Sequence, residues 1–466
     1  MSTVEPGSTV ESGSTVESGS AMEPSATEPA GVETIPRIGD DGRFPSIEAF
    51  RYPTFRRVFS AGFVSQLGDW MQIVARASLA YDLTHQASSV GWIYFATYMP
   101  QLLLSMWGGV LADRFDRRRL LVWCQVAQMA GALVLGVLAA TGTASLVNIA
   151  ALSFVIGIAN ALNIPAAQAL QPAVVSRESL SSAITLSTAG NSIARVLGPV
   201  LSSIVINGLG LRWAFWLNAA SFLAVIFAWA MTRVPRQPRL AGEVRSWEAM
   251  KQAIRYVRND PCVWVPIAVS TFISSVGIVY QPLMLPFANR VLSHGSDHLG
   301  NARIGPLQAA IGLGAFVGIL GLAGAGRRRP GFTLVVSAIA FSITLITLGR
   351  TSSYLVALAI CFAMGAAQFA NITVAINLVQ HDVPEIMRGR VMSIQMMGLI
   401  GLVPIASLAG GTIADHVGIP ATISGAGALC LVFSMWALRW QRHVDPSVDI
   451  ESVETIAAVG VVEQEG

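Results

Sequence analysis

Residues 108–121 read G-G-V-L-A-D-R-F-D-R-R-R-L-L and lie between two long apolar segments. One carboxylate, Asp113, ends the first segment, and four arginines, at 114 and 117–119, open the second. Positive charge of this density at the end of a hydrophobic segment is typical of a short loop held on one face of a bilayer. The stretch therefore predicts a membrane protein in which short loops connect apolar helices.

The composition of the chain supports the same class. Of its 466 residues, 53% are hydrophobic and 12% are charged, whereas soluble domains carry about 25% charged residues. Since so few charges cannot cover a water-exposed surface of this size, we expect an all-α polytopic membrane protein. The net charge of +3 gives no reason to expect a nucleic-acid partner. The four cysteines lie in separate apolar segments, which excludes a disulfide framework and a zinc pattern.

Twelve apolar segments have close to the ~20 residues that a helix needs to cross the hydrocarbon core. Their limits are 57–82, 88–112, 119–141, 145–170, 180–207, 212–232, 262–289, 305–325, 331–349, 353–378, 390–414 and 419–439. The first six segments weakly resemble the last six, which is typical of transporters built from duplicated halves. We therefore predict twelve transmembrane helices in two pseudo-symmetric six-helix bundles.

These segments divide the chain into five parts. They are a disordered cytoplasmic tail (1–48), an N-terminal six-helix bundle (49–232), a cytoplasmic linker (233–261), a C-terminal six-helix bundle (262–443) and an acidic disordered tail (444–466). In the linker, apolar residues recur at helical spacing from Trp247 to Val257 opposite basic residues. This pattern predicts an amphipathic helix at the membrane interface. The helix either tethers the bundles or responds to lipid.

The basic residues predict the orientation. Most of the 30 lysines and arginines fall in the two tails and in alternate loops. The loops of the opposite side contain Arg212, Arg290, Arg303 and Arg350. Because cytoplasmic loops carry an excess of positive charge, we expect a multi-pass protein of the cell membrane with both termini in the cytoplasm.

The loop from Gly109 through Asp113 and Arg114 to Arg119 resembles the signature between the second and third helices of the major facilitator superfamily. Other stretches are similar to the branch of enterobactin and macrolide exporters. They are S-Q-L-G-D-W-M-Q at 65–72, P-Q-L-L-L at 100–104 and A-R-V-L-G-P at 194–199. The resemblance covers roughly 50–442. It implies proton-driven export of an amphipathic organic compound, such as a drug, siderophore or secondary metabolite, by alternating access.

We also expect a functional monomer that binds a small molecule, lies in the lipid bilayer and does not bind nucleic acid. No nucleotide-binding loop, catalytic triad or metal pattern stands out in the sequence. The expected energy source is therefore a proton gradient, with no cofactor, no catalytic residue and no metal ligand. Two alternatives remain: an uptake symporter of the same fold, or a membrane sensor that binds partners without transporting.

In the family that the sequence resembles, the carboxylate of the signature loop helps to close the cytoplasmic side. This implies a gating loop that includes Gly109, Asp113, Arg114 and Arg118. The alternative is a loop that only fixes topology. A similar string at 411–415 falls at an outer helix end by segment count, and it is not expected to gate.

Asp69 and Arg195 are charges near the middle of the first and fifth segments, where a charge costs at least about 2.5–3.5 kcal/mol. In the superfamily fold these helices are neighbours, so we expect the two side chains to pair in one conformation. The pair either couples transport to protons or permanently orients two helices, and direct substrate contact is a third possibility. Arg76 lies about 10 Å further along the first helix. It either reaches the outer interface or lines the mouth of the cavity.

Uncharged polar and adaptable side chains in the central segments either line the substrate path or bond across helices. The path residues that we predict are Arg76, Tyr98, Gln101, Asn163, Asn191, Asn371 and Met396. In the fifth segment, Gly190 and Gly198 belong to a stripe of small residues, and Pro199 removes a backbone donor. That helix is expected to pack closely against a neighbour or to act as a hinge.

Overall fold

We describe residues 45–105, 116–170, 174–176, 179–232, 247–325 and 329–440 in a computed structural model of the protein. A 3-10 helix, Pro45–Arg51, precedes fifteen α-helices in these ranges. The first six are α1 Pro53–Thr84, α2 Ala87–Ser105, α3 Arg117–Thr141, α4 Leu146–Leu170, α5 Leu180–Gly208 and α6 Leu211–Ala230. The next are α7 Trp247–Asn259, α8 Pro261–Gly277, α9 Tyr280–Phe287 and α10 Asp297–Ala325. The last are α11 Pro330–Leu348, α12 Tyr354–Asp382, α13 Glu385–Gly401, α14 Val403–Val417 and α15 Ile419–Ala437.

The described fold is all-helical, and the protein is a polytopic membrane protein. Ten spans in the described ranges are long and apolar enough to cross a bilayer. Two of them combine consecutive helices, Pro261–Leu292 and Glu385–Val417. Helices α1 and α2 are not among the ten. Charged side chains such as Asp69 and Arg76 lower the hydropathy of α1, and α2 is described only as far as Ser105.

Two of the predicted segments are each divided into two helices, and α10 begins at Asp297, ahead of the predicted 305. The segment predicted at 262–289 is broken between Gly277 and Tyr280, and a π-helical turn, Ala288–Leu292, follows α9. Pro282 explains this break, because it has no N–H for the carbonyl four residues earlier. The segment predicted at 390–414 is interrupted at Leu402, and α14 resumes with a proline in its first turn.

The predicted N-terminal tail and the predicted linker can each be compared with described residues. The tail predicted at 1–48 ends inside the 3-10 helix Pro45–Arg51, where the amide of Ala49 donates to Ser182 Oγ over 3.2 Å. The expected amphipathic linker helix is present as α7. Residues 1–44, 233–246 and 441–466 lie outside the described ranges.

We call the end of the molecule where α1 begins the proximal end and the end where α1 finishes the distal end. At the distal end α1 terminates at His85, which has a left-handed backbone (φ 52°) and whose amide donates to Tyr81 O. The chain then turns directly into α2. Beyond the first six helices, α2 packs on α14 and α5 packs on α10.

Glycine allows these helices to approach closely. A Cβ on Gly91 of α2 would lie 2.7 Å from the carbonyl oxygen of Ser407 in α14, and a Cβ on Gly305 of α10 would lie 2.7 Å from that of Pro199 in α5. Both contacts are backbone approaches that only a residue without Cβ permits. The two contacts join α2 to α14 and α5 to α10, and we call the space between these helix pairs the central space of the molecule.

Candidate functional site

Helix α1 separates two cavities of different character. The central cavity has a volume of about 260 Å³. It is lined by Trp70, Arg195, Ser274, Ile278, Tyr280, Gln281, Met284, Gln308, Ile311, Gly312, Gln368, Phe369, Ile372, Met396, Leu399 and Ile400. The second, which we call the lateral cavity, has about 190 Å³ and lies among α1, α3, α4, α5 and α6. Its polar lining consists of Ser65, Gln66, Asp69, Gln125, Asn163 and Ser187.

Arg195 is the charged group of the central cavity. The guanidinium carbon lies 5.1 Å from the ring centre of Trp70 and 4.7 Å from that of Phe369. The Arg195 Nε–H is buried and has no hydrogen-bond acceptor. No carboxylate belongs to the described lining. The arginine is therefore stabilised by aromatic faces rather than by an anion.

The remaining lining is amphipathic. Tyr280 OH donates to Gln368 Oε1 over 2.9 Å, and two further amides, Gln281 and Gln308, face the same space. Aliphatic and thioether side chains, including Met284, complete the wall. Thus the cavity offers one cation, several neutral polar groups and a large apolar surface.

Asp69 belongs to the lateral cavity. Asn218 of α6 donates through Nδ2 to Asp69 Oδ1 at 3.5 Å and also to Gln72 Oε1. Ser221 donates to Asn218 Oδ1 over 3.0 Å. Gly68 makes room for this cluster, since a Cβ there would lie 2.1 Å from Asn218 Oδ1. The carboxylate is held by an amide and hydroxyl network between α1 and α6.

The expected Asp69–Arg195 pair is not formed in this conformation, and pairing in another conformation stays a prediction. Asp69 lines the lateral cavity, and its cationic neighbour is Arg76 rather than Arg195. Arg195 instead stacks on Trp70, the residue that follows Asp69 in the chain. Consecutive helical side chains point about 100° apart. Although Asp69 and Arg195 lie at equal depth, Asp69 therefore points away from the face of α1 that Arg195 of α5 contacts.

Arg76 is buried, with 5% of its surface exposed. It donates through Nη1 to Thr97 Oγ1 of α2 over 3.2 Å. Of the two alternatives for Arg76, this burial argues against the outer interface, and a position at the cavity mouth stays a prediction. Tyr94 and Tyr98 of α2 are its ionisable neighbours on that helix.

The other predicted path residues fall into different environments. Met396 lines the central cavity, and Asn163 lines the lateral cavity, where its Oδ1 accepts from Gln125 over 3.4 Å. Asn371 is fully buried and donates to the carbonyl of Leu334 over 2.9 Å. It therefore binds α12 to α11, and its assignment to the path is wrong. Tyr98 and Gln101 are half-buried on α2, and Asn191 is exposed on α5.

Of the predicted gating loop, Gly109, Asp113 and Arg114 lie outside the described residues. Arg118 is described, at the start of α3. It donates to the carbonyls of Trp229 and Ala230, over 2.8 and 2.7 Å. These carbonyls end α6, so Arg118 connects α3 to α6 at the proximal end.

The string at 411–415 makes a contact that the sequence did not suggest. Asp415, near the end of α14, accepts hydrogen bonds from the amides of Ala87 and Ser88 over 2.7 and 2.9 Å. These amides open α2, where a carboxylate also meets the positive end of the helix dipole. A Cβ on Gly411 would lie 2.8 Å from Ala87 O. The glycine and the carboxylate together hold α14 against the distal start of α2.

Other hydrogen bonds cross the molecule at the same end. Arg290, in the π-helical turn after α9, donates to Tyr81 OH over 3.0 Å and to the carbonyl of His85. Ser78 of α1 bonds to Asn301 of α10 over 3.3 Å. The distal end of the central space is therefore closed by contacts between the first six helices and the later ones.

The small-residue stripe of α5 packs on α1. Gly190 faces Phe59 and Phe63, and a Cβ on Gly198 would lie 2.4 Å from Trp70 Cβ. Ala194 and Ser202 are also buried, and Ser202 donates to Met71 O over 3.0 Å. The predicted close packing is confirmed. α5 remains one helix through Pro199, and the hinge stays a prediction.

Trp70, Tyr280 and Phe369 are among the central-cavity residues that the sequence analysis missed. For Tyr280 a signal was present, because a proline-interrupted apolar segment often marks a binding site in transporters. Trp70 and Phe369 had no such signal in the sequence, because only their contact with Arg195 in the structure assigns them to the cavity. Among the described residues, no group of three or more histidine, cysteine or acidic side chains is placed to hold a metal ion.

The family model described as "Transmembrane secretion effector", a branch of the major facilitator superfamily, matches residues 45–463. The chain belongs to this family. It is 27% identical to the enterobactin exporter EntS of Citrobacter koseri over 410 residues, covering 85% of this chain and 95% of the relative. It is 26% identical to the staphyloferrin A transporter of Staphylococcus aureus, with 82% and 95% covered. Family membership and these relatives show that the protein is a transporter.

Solved structures show the same fold. A bacterial homolog of the human lysosomal transporter Spinster, in an inward-facing and unoccupied conformation, superimposes with a TM-score of 0.65 at 18% identity. The match covers 84% of this chain and 98% of that one. A D-xylose–proton symporter gives a TM-score of 0.65 at 12% identity, with 84% and 98% covered. The fold is therefore that of the major facilitator superfamily.

Proposed function

We propose that this transporter exports an amphipathic organic compound of the siderophore class by alternating access, driven by a proton gradient. The observation that carries the proposal is the amphipathic central cavity around Arg195, enclosed by α1 and α5 on one side and by α8, α9, α10, α12 and α13 on the other. A cavity with a few placed polar groups on an apolar wall suits small-molecule binding. The relatives named as an enterobactin exporter and a staphyloferrin A transporter support the compound class.

We further propose twelve transmembrane helices in two six-helix bundles, which counts α1, α2, α8 with α9, and α13 with α14 as four spans. On this assignment the protein is a monomeric carrier rather than an enzyme. It lies in the bacterial cytoplasmic membrane with both termini in the cytoplasm and needs no cofactor besides the proton gradient. The excess of arginine at the proximal end supports this orientation.

With that orientation, the distal contacts of Asp415 and Arg290 are on the outer side. They favour a state in which the outer side is closed and substrate enters from the cytoplasm. Protonation of Asp69 would then accompany the return step, because a carboxylate within a membrane-spanning helix is costly to keep charged.

Transport in membrane vesicles tests the proposal. Inverted vesicles containing the protein should accumulate enterobactin or staphyloferrin A when their interior is acidic, and the accumulation should collapse with a protonophore. Vesicles without the protein are the control. Accumulation in right-side-out vesicles instead would identify an uptake symporter. If folded protein moved no compound in either orientation, a sensor role would replace transport.

A further inference from the structure

Arg195 is a cation that lacks an anion. Among the described residues no carboxylate lies within 4.0 Å of it, and no described residue accepts a hydrogen bond from its guanidinium. Its titratable neighbours are the phenols of Tyr98 and Tyr280. A half-buried cation without an ion-pair partner carries an uncompensated desolvation cost. The site is therefore incomplete without an anion.

The geometry also determines which atoms of Arg195 can bind a ligand. The rings of Trp70 and Phe369, at 5.1 and 4.7 Å from the guanidinium carbon, take its cation–π contacts. Its N–H donors lie in the guanidinium plane and match the two oxygens of a carboxylate or similar group. Rings on the arginine also hold the fork in place, which reduces the freedom lost on binding.

The surrounding wall indicates what the anion is attached to. Gln281 and Gln308 supply neutral hydrogen-bonding groups, whereas Ile278, Met284 and Leu399 are apolar. The volume of about 260 Å³ is below the roughly 300–1,000 Å³ of pockets for whole drug-sized ligands. The cavity in this conformation therefore suits one ring-sized group of a larger molecule.

We propose that Arg195 is the specificity-determining residue of the central cavity, where it binds a planar pair of anionic oxygens, carboxylate or catecholate, on an aromatic or otherwise apolar body. The inference rests on the proposed function, which it deepens by naming the charged group of the substrate. It assigns no part of proton coupling to Arg195.

Binding to the full-length protein in nanodiscs tests this assignment. The probes are benzoate, catechol and the neutral benzamide at pH 7, followed by tryptophan fluorescence, because Trp70 lies on Arg195. Benzoate should bind, and benzamide, which has the same shape without charge, should bind about tenfold or more weakly, since hydrogen bonds to charged groups are the strong ones. Catechol titrated at pH 7 and at pH 10 shows whether an ionised diol replaces the carboxylate.

Variants localise the effect. Arg195→Gln should weaken benzoate binding about ten- to hundredfold and make benzoate and benzamide equivalent. Arg195→Lys should recover part of the affinity, because it keeps the charge but loses the planar fork. Arg303→Gln is the matched control: Arg303 also stacks on a ring, Tyr354 at 4.9 Å, but outside the central cavity. Trp70→Phe should remove the fluorescence change while leaving calorimetric binding of benzoate in place.

Three results would overturn the inference: equal affinity of wild-type protein for benzoate and benzamide, displacement of benzoate by chloride at equal concentration, or equal losses in Arg303→Gln and Arg195→Gln. If the protein transports neutral compounds and Arg195→Gln does not reduce this transport, the proposed function stands and the role of Arg195 is rejected. If benzoate binding depends on Arg195 but the vesicles show no transport, the role of Arg195 stands and the proposed function is rejected.

Discussion

The central and the lateral cavity lie on two sides of α1, and each contains one charge in a different setting. In the lateral cavity Asp69 is bonded to Asn218 within a network of amides and hydroxyls. In the central cavity Arg195 is covered by two aromatic rings and lacks an acid. One charge is satisfied by its own protein, and the other is available to a ligand.

This difference changes how coupling can work. A direct Asp69–Arg195 pair would let the substrate compete with the carboxylate for the arginine. With the two charges on separate faces, a change at Asp69 must pass through α1 itself. The shortest route is from Asp69 to its neighbour Trp70, which touches both Arg195 and the close-packed Gly198 of α5.

The largest effect is expected from Asp69→Asn. The amide can still bond to Asn218 but cannot exchange a proton, so proton-driven accumulation should fall at least about tenfold while substrate counterflow persists. Proteoliposomes with and without an imposed pH gradient measure both activities. Asp82→Asn, at the exposed distal end of the same helix, should leave accumulation intact. Unchanged pH dependence in Asp69→Asn would remove the coupling role from the lateral cavity.

A second change targets the helix contact between the cavities. Gly198→Val places a Cβ 2.4 Å from Trp70 Cβ and 3.0 Å from Leu67 O. Such overpacking costs about 1–3 kcal/mol and should lower the thermal unfolding midpoint and loosen the stack on Arg195. Gly208→Val, on the same helix, meets nothing within 4 Å and should have little effect. Equal midpoints for the two variants would show that α1 and α5 are not held by this contact.

A third change tests which contact keeps the distal end closed. Asp415→Asn weakens the bonds to the amides of Ala87 and Ser88, and loss of a helix cap costs about 0.5–2 kcal/mol. The fraction of molecules open at the distal end should rise about 2- to 30-fold. Spin labels at Gln86 and Val417, both exposed, measure it as a longer distance. His416→Gln is the control, and an unchanged distance distribution in Asp415→Asn would assign closure to Arg290 and the helix packing.

The smallest effects distinguish packing from substrate contact. Asn371→Ala removes the bond to the carbonyl of Leu334, which still accepts from Ser337 Oγ over 2.9 Å, and should cost about 0.5–1.5 kcal/mol of stability without changing which compounds are transported. Met396→Ala, in the central cavity, should instead weaken binding of apolar compounds with little loss of stability. Thermal unfolding and a transport panel on both variants separate the two outcomes. A changed compound preference in Asn371→Ala would return that residue to the substrate path.

Much of the fold was predictable because membrane helices are specified locally. Length, hydropathy and arginine placement are properties of short stretches, and they located the helices, although α10 begins at Asp297 rather than at 305. The exceptions were the breaks near Ile278 and Leu402, where the apolar run continues although the helix does not. Pro282 and Pro404 were the local signs of these breaks, but a proline alone does not distinguish a kink from an interruption.

The family resemblance located the candidate site only in part. Asp69 and Arg195 were correctly selected as rare charges within apolar helices, and small residues correctly predicted the close packing of α5. Asn371 was placed on the substrate path because an amide in a helix has the same sequence signal whether it faces a cavity or a neighbouring carbonyl. Only the position of Leu334 O decides between them.

The sequence by itself determined that this is a helical membrane transporter of the major facilitator superfamily, and at what depth its buried charges lie. Depth follows from the rise of 1.5 Å per residue along each helix. Only the tertiary structure decided which charges meet, because the rotation of each helix depends on packing between residues far apart in the chain. That packing turned Asp69 towards Asn218, placed Arg195 in the lining of the central cavity, and set Asp415 on the start of α2.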